Sequence, residues 1–177
     1  MLKLLFQWLD QHSGSYWVLA WFATAGLVLH VGLLLRSGVS APNQRKGSTL
    51  GDALVLWLFI IAWRWPFLLV AREFNPDESQ LIAGAITLAR HPVFWHSVDG
   101  TTSGPLNFYP LTVFAWLGLP LDYFTARLAG SFLSVGGLFM TYSGLAKMFG
   151  RSAAWLSILP AAGLFSTVTN FYLIHYS

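Results

Sequence analysis

The stretch from Arg72 to Pro110 contains half of the carboxylates and histidines in this chain that could do acid–base chemistry. It reads REFNPDESQLIAGAITLARHPVFWHSVDGTTSGPLNFYP, and the sequence on both sides of it is almost continuously apolar. Four of the seven acidic residues and two of the five histidines lie in it: Glu73, Asp77, Glu78, Asp99, His91 and His96. Because carboxylates and imidazoles are the usual general acids and bases, this polar segment is the first place to look for chemistry.

An amphipathic helix is predicted inside this stretch, and it would position two of the carboxylates. Asn75 can cap the helix, Pro76 suits its first position, and Glu78 follows Asn75 at the spacing of a capping box. Pro92 ends the helix. The apolar side is formed by residues at helical spacing: Leu81, Ile82, Ala85, Ile86 and Ala89. Asp77 and Glu78 would then lie in the first turn, where acids also stabilise a helix without any catalytic role.

The composition is that of a membrane protein. Hydrophobic residues make up 55% of the 177 positions and charged residues only 10%, whereas soluble domains carry about 25% charged residues. Nine tryptophans are typical of the aromatic belts at membrane surfaces. The net charge of +3 comes from Lys and Arg near the ends of apolar segments, which favours phospholipid headgroups over nucleic acid as partners.

Long apolar runs predict an all-α, polytopic transmembrane bundle of about five spans, as a single domain over residues 1–177. The runs are 16–35, 50–70, 106–119, 124–148 and 153–172. Residues 1–12 form either a helix on the membrane surface or a frayed terminus. His30 is expected to pack against a neighbouring helix. Arg64, beside Trp63 and Trp65, is expected to extend toward headgroups as an interfacial anchor.

Charge distribution predicts the orientation. The connector Arg36–Thr49 carries three cations and no acid, so the positive-inside rule makes it cytoplasmic and makes the loop Arg72–Pro110 extracytoplasmic. If 106–119 crosses the membrane, the turn with Lys147 and Arg151 falls outside, against the rule. If 106–119 is re-entrant, that turn falls inside. The span count favours the first arrangement and the charges favour the second.

A metal site is an alternative use of the polar stretch. Its ligands would come from Asp77, Glu78, His91, His96 and Asp99. The two histidines are five positions apart around Pro92, so they do not share one helical face, and the spacing does not support a ligand set.

Several short motifs in this region resemble those of GT-C class membrane glycosyltransferases. NPDESQ at 75–80 followed by IAGA at 82–85 is similar to the first extracytoplasmic loop of that class, above all of the bacterial members akin to protein O-mannosyltransferases and lipid A aminoarabinose transferases. GPLNFY at 104–109 is similar to the Pro-Leu element that leads into the next span, and ARL at 126–128 to the start of the following helix. The resemblance covers roughly residues 72–150.

The resemblance implies a function at the outer face of a bacterial inner membrane. A hexosyl or pentosyl group would pass, with inversion, from a polyprenyl-phosphate carrier to a lipid, glycan or protein acceptor. Asp77 and Glu78 would be the catalytic carboxylates. Side chains that could bind sugar or phosphate are Arg72, Arg90, His91, His96, Asp99 and Asn107. No cofactor is assigned, and a divalent metal stays an alternative. Because the family has more spans than this chain, the chain by itself is expected to be an inactive N-terminal portion.

A non-enzymatic membrane protein, such as an assembly subunit or a transporter component, is the alternative from a different class. Polar loops between spans also dock partner proteins. A transporter would carry ionisable residues deep within its spans, and in the sequence only Asp52 and Arg64, both near span ends, come close to that pattern.

The predicted orientation can be checked by cysteine labelling, because the native chain has no cysteine. A single Cys at Ser79 is expected to react with a membrane-impermeant maleimide in intact oriented cells, since the charge rule places the loop outside. A Cys at Ser40, in the connector, serves as the control and should react only after permeabilisation. Labelling of the two positions in the opposite order would contradict this orientation.

Overall fold

Every element in the described part of the chain is a helix. The computed structural model describes residues 2–12, 14–36, 49–74, 76–98 and 104–167. Its helices are α1 (Leu2–Asp10), α2 (Ser15–Arg36), α3 (Thr49–Leu69), α4 (Pro76–Arg90), α5 (Phe94–Ser97), α6 (Pro105–Trp116), α7 (Tyr123–Phe149) and α8 (Arg151–Thr167). The predicted all-α class is confirmed. The predicted bounds of the helices corresponding to α2, α3, α4 and α7 agree within one or two residues.

Three helices of the described chain, α2, α3 and α7, are long and apolar enough to cross a membrane. The sequence predicted about five crossings. Helix α6 has 12 residues and ends at Trp116 instead of Leu119. At a rise of about 1.5 Å per residue it is about 18 Å long, well short of a hydrocarbon core of about 30 Å. Helix α8 has 17 described residues.

The chain divides into two compact units. The first contains residues 1–66 and 134–169, and the second contains residues 67–133. Helices α3 and α7 each contribute residues to both units. The buried apolar residues form one cluster in each unit.

In the first unit, α2 and α3 run in opposite directions. Near the start of α2, the Thr24 hydroxyl accepts a hydrogen bond of 3.0 Å from Trp63 Nε1, near the end of α3. Near the end of α2, His30 Nε2 lies 2.8 Å from Asp52 Oδ1, at the start of α3. The two helices therefore form an antiparallel pair.

Helix α8 runs in the same direction as α3. At its start, Arg151 Nη2 donates to Asp52 Oδ1 over 2.7 Å. At its end, the carbonyl of Phe165 accepts from Arg64 Nη1 over 2.9 Å. The beginning of α8 consequently lies at the same end of this unit as the beginning of α3 and the end of α2, so Arg151 and Arg36 are at one end.

A polar network around Asp52 holds that end of the unit together. Its carboxylate is only 1% exposed, yet it accepts four hydrogen bonds. Oδ1 accepts from His30, from Arg151 and, at 3.2 Å, from Trp155 Nε1, while Oδ2 accepts from the Tyr142 hydroxyl at 2.8 Å. The donors come from α2, α7 and α8, so one carboxylate on α3 joins four helices. The expected packing of His30 on a neighbouring helix is confirmed, with a charged partner that was not predicted.

The interpretation of Arg64 as an interfacial anchor is wrong. Its side chain is 4% exposed and donates to the Phe165 carbonyl in the last turn of α8. A guanidinium that has left water needs an acceptor, and the Phe165 carbonyl provides one. This hydrogen bond explains why Arg64 points inward.

In the second unit, α4 packs in parallel on α6. The Thr112 hydroxyl donates to the Ala85 carbonyl and Trp116 Nε1 donates to the Ala89 carbonyl. The face of α4 that this packing buries is formed by Leu81, Gly84, Ala85 and Leu88. This differs in part from the predicted apolar side, because Ile86 is exposed. The spacing of apolar residues predicts the helix α4, but the packing of α6 against it determines which of its residues are buried.

Gly84 lets α4 and α6 approach closely. A Cβ at this position would stand 2.6 Å from Phe108 Cδ1 and 3.2 Å from Val98 Cγ1. Phe108 is fully buried, so its ring has little room to move away.

Gly84→Ala is therefore expected to lower the stability of the protein in detergent by about 1–3 kcal/mol, the usual effect of overpacking a core. Gly136→Ala, in helix α7, is the matched control, because a Cβ there meets nothing within 4 Å. It should be neutral or stabilising by about 0.5–1 kcal/mol, since alanine favours helices over glycine. Thermal unfolding followed by circular dichroism measures both, and equal melting temperatures for the two variants would contradict the close approach.

Candidate functional site

The start of α4 presents two neighbouring carboxylates in different surroundings. Asp77 is partly exposed in the first helical turn, whereas Glu78 is 8% exposed and buried. Consecutive residues of a helix point about 100° apart, so the two side chains face different directions. The fold thus divides the two carboxylates that the resemblance assigns to catalysis.

Arg127 of α7 is the reason that Glu78 is buried. Its Nε donates to Glu78 Oε1 and its Nη2 to Glu78 Oε2, both over 2.9 Å. This two-pronged geometry is the strong form of an arginine–carboxylate pair. The guanidinium is itself only 4% exposed, so both charges have been removed from solvent together.

The remaining donors of Arg127 hold the chain segment between α3 and α4. Nη1 donates to the carbonyls of Phe67 and Val70 over 2.9 and 2.6 Å, and Nη2 donates to the carbonyl of Arg72 over 2.7 Å. With the two bonds to Glu78, all five N–H groups of the guanidinium are used. Three carbonyls at and after the end of α3 thereby obtain a donor that their own helix does not supply.

Aromatic rings cover this guanidinium. Its central carbon lies 4.2 Å from the centroid of the Phe74 ring and 5.2 Å from that of Tyr123. Both distances fall within cation–π range. We refer to Glu78, Arg127 and these two rings as the Arg127 cluster.

The predicted capping box takes a different form. Glu78 Oε2 accepts from the backbone N–H of Phe74 over 2.9 Å. In the predicted capping box, the Glu78 side chain accepts from the backbone N–H of Asn75, a residue that lies outside the described part of the chain. Glu78 does turn back toward the residues before α4, as predicted, but its main partner is a cation 49 positions later in the sequence.

A second polar group lies beside the Arg127 cluster. The Ser79 hydroxyl bonds to Glu73 Oε2 and lies 2.9 Å from the Tyr123 hydroxyl. These contacts tie the segment before α4 to the beginning of α7. Asp77 is therefore carried on a helix start that is fixed on two sides.

The predicted substrate-binding residues do not all lie near Asp77. Arg72 precedes α4, and its exposed side chain is at the Asp77 end of the helix. Arg90 ends α4, thirteen residues after Asp77, which at a rise of about 1.5 Å per residue places it about 20 Å away along the axis. His91 follows Arg90. One reacting centre cannot use both ends of this helix.

The other predicted binding residues belong to separate elements. His96 is exposed on α5, and Asn107 lies in the first turn of α6. Asp99 lies outside the described residues. Within the part of the chain that the structure describes, no three His, Cys, Asp or Glu side chains come together as metal ligands do.

Arg127 is the residue at this site that sequence reasoning missed. The ARL motif at 126–128 includes this arginine but assigns it no role. An arginine inside an otherwise apolar helix needs a buried acceptor. That signal was readable in the sequence. The identity of the acceptor was not, because nothing local links Arg127 to Glu78.

No protein-family model matches this chain, and no match was found among curated proteins or solved structures.

The buried pair predicts different effects for the two neighbouring carboxylates. Glu78→Gln removes the counter-charge of Arg127 and should destabilise the protein by about 3–5 kcal/mol, the range for breaking a buried ion pair. The capping-box interpretation alone would have predicted a mild effect, because the amide can still accept. Asp77→Asn is the matched control at the adjacent, partly exposed carboxylate and should leave the melting temperature in detergent nearly unchanged. Similar melting temperatures for both variants would contradict the role given to Glu78.

Proposed function

We propose that this chain belongs to a GT-C class glycosyltransferase, with Asp77 as its general base. The enzyme would move a sugar from a polyprenyl-phosphate carrier to an extracytoplasmic acceptor and invert the anomeric centre. One observation carries the proposal beyond the resemblance. Of the Asp-Glu pair at the start of α4, Glu78 is occupied by Arg127, and Asp77 is the carboxylate that solvent can still reach.

The chemistry assigns one task to each residue. Asp77 takes the proton of the acceptor hydroxyl while the hydroxyl oxygen attacks the anomeric carbon, and the bond from that carbon to the phosphate oxygen breaks. A positioned base of this kind contributes about 10²–10⁴-fold to a rate. Arg72, at the same end of α4, would stabilise the negative charge on the departing phosphate.

Glu78 acts in this proposal as a positioning residue. Together with Arg127 it fixes the start of α4 and the backbone carbonyl of Arg72. A base must be held within hydrogen-bond reach of the proton that it removes, so a rigid helix start favours the reaction. The acceptor and sugar contacts expected from His96, Asn107 and Asp99 remain part of the proposal, whereas His91, at the far end of α4 from Asp77, does not.

The charge rule supports a bundle with four crossings. Arg36 and Arg151 lie at one end of the first unit, and Lys147 lies in the last turn of α7, just before Arg151. If this end is cytoplasmic, all three obey the positive-inside rule. We propose that α2, α3, α7 and α8 cross and that α4 and α6, with 15 and 12 residues, stay at the extracytoplasmic side. Helix α4 would then be the juxtamembrane helix.

A non-enzymatic transporter component is the second candidate, and one observation favours it. Asp52 and Arg64 are buried in helix α3, and ionisable residues inside membrane helices often mark transport pathways. Both, however, have partners within the first unit, which is also what a structural role requires.

The proposed base is tested by Asp77→Asn in the full-length protein. Transfer from a polyprenyl-phosphate sugar is expected to fall about 10²–10⁴-fold, since the amide keeps the shape but cannot accept the proton. Membrane abundance should stay near that of the unchanged protein. Glu73→Gln, at the exposed carboxylate before α4, is the control and should retain most of the transfer. If Asp77→Asn keeps more than about a tenth of the activity, Asp77 only stabilises the helix start.

A further inference from the structure

A cleft in the second unit lies between the C-terminal ends of α4 and α6. It is a shallow, widely open cleft with a volume of about 420 Å³. Its walls are mostly apolar and come from Ile86, Ala89, Ala115, Leu119 and Leu121. A single charged side chain, that of Arg90, lines it as well.

Arg90 has no hydrogen-bond or ion-pair partner within the described part of the chain. It is the last residue of α4 and its side chain is exposed. The arginines that are buried or half-buried do have such partners, namely Arg127, Arg64 and Arg151. A cation beside an apolar cleft matches a ligand that has one negative group attached to a hydrocarbon chain.

The surface around the cleft is also suited to lipid. Leu117 and Leu119 are exposed large apolar residues at its edge, and the exposed indole of Trp116 donates from its Nε1 to the carbonyl of Ala89. Tryptophans with a tethered polar atom and an apolar ring favour the membrane interface. Water is a poor environment for this edge, and acyl chains would cover it.

We propose that this cleft binds one anionic phospholipid of the surrounding bilayer. The phosphate pairs with the Arg90 guanidinium, and part of one acyl chain lies along Ile86, Ala115 and Leu119. Arginine suits this role because its fork can donate two hydrogen bonds to a phosphate. The site is about 20 Å along α4 from Asp77, so it is separate from the centre proposed for sugar transfer and does not depend on it.

Photo-crosslinking tests the site directly. The full chain is placed in phosphatidylcholine nanodiscs that contain phosphatidylglycerol with a diazirine on its acyl chain, and the adducts are mapped by peptide mass spectrometry. Adducts are expected on residues 86–90 and 115–121. Arg90→Gln should lower their yield about fivefold, the effect typical of one basic residue on an anionic lipid. Lys147→Gln, which removes an exposed cation outside the cleft, is the matched control and should not change it.

Two further arms make the result decisive. Ile86→Trp keeps Arg90 but fills the cleft, so it should also lower the yield, while circular dichroism verifies that the variant remains helical. Diazirine-labelled phosphatidylcholine should give few adducts at these residues. The proposal is overturned if Arg90→Gln leaves the yield unchanged, or if phosphatidylcholine labels the cleft equally. It is also overturned if free glycerol phosphate or a polyprenyl phosphate displaces the label when unlabelled phosphatidylglycerol does not.

Discussion

Buried charge is the constraint on which both units of this protein depend. A charge that leaves water loses its hydration, so it is tolerated only where nearly every donor or acceptor position is matched. The first unit meets this requirement at Asp52, whose carboxylate accepts from side chains of three other helices. The second unit meets it at Arg127, whose five N–H groups all have acceptors. Apolar packing surrounds these groups but does not by itself specify which residues must meet.

This constraint also determines what the start of α4 can do. Burial of Glu78 against Arg127 removes one carboxylate from the reach of a substrate, and the same contact fixes the helix that carries the other. Glu78 thus holds the start of α4 in place, whereas the neighbouring Asp77 stays partly exposed to solvent. In the proposed reaction, the helix start that carries Asp77 is fixed by the contact between Glu78 and Arg127.

The sequence was a good guide wherever the deciding forces are local. Runs of apolar residues located α2, α3 and α7, and the order Pro76, Asp77, Glu78 located the start of α4, because length, hydrophobicity and capping act within a few turns. It was a poor guide to contacts between distant residues. Arg64 was assigned to the membrane surface because its neighbours Trp63 and Trp65 favour that position, but the carbonyl that binds it is 101 residues away. Arg90 and Asp77 lie at opposite ends of α4, which the predicted bounds of this helix already imply.

The long separations between these partners have a consequence for the order in which the protein can be assembled. Of the four side chains in the described part of the chain that donate to Asp52, His30 alone has been made when α3 leaves the ribosome, because Arg151 is encoded 99 residues later. Phe165 follows Arg64 by 101 residues, and Arg127 follows Glu78 by 49 residues. Until α7 and α8 are made, Asp52 therefore lacks three of the four donors that it has in the folded chain. A chain that stopped before α8 would keep Tyr142 but lack Arg151 and Trp155, so two of the four hydrogen bonds to Asp52 could not form.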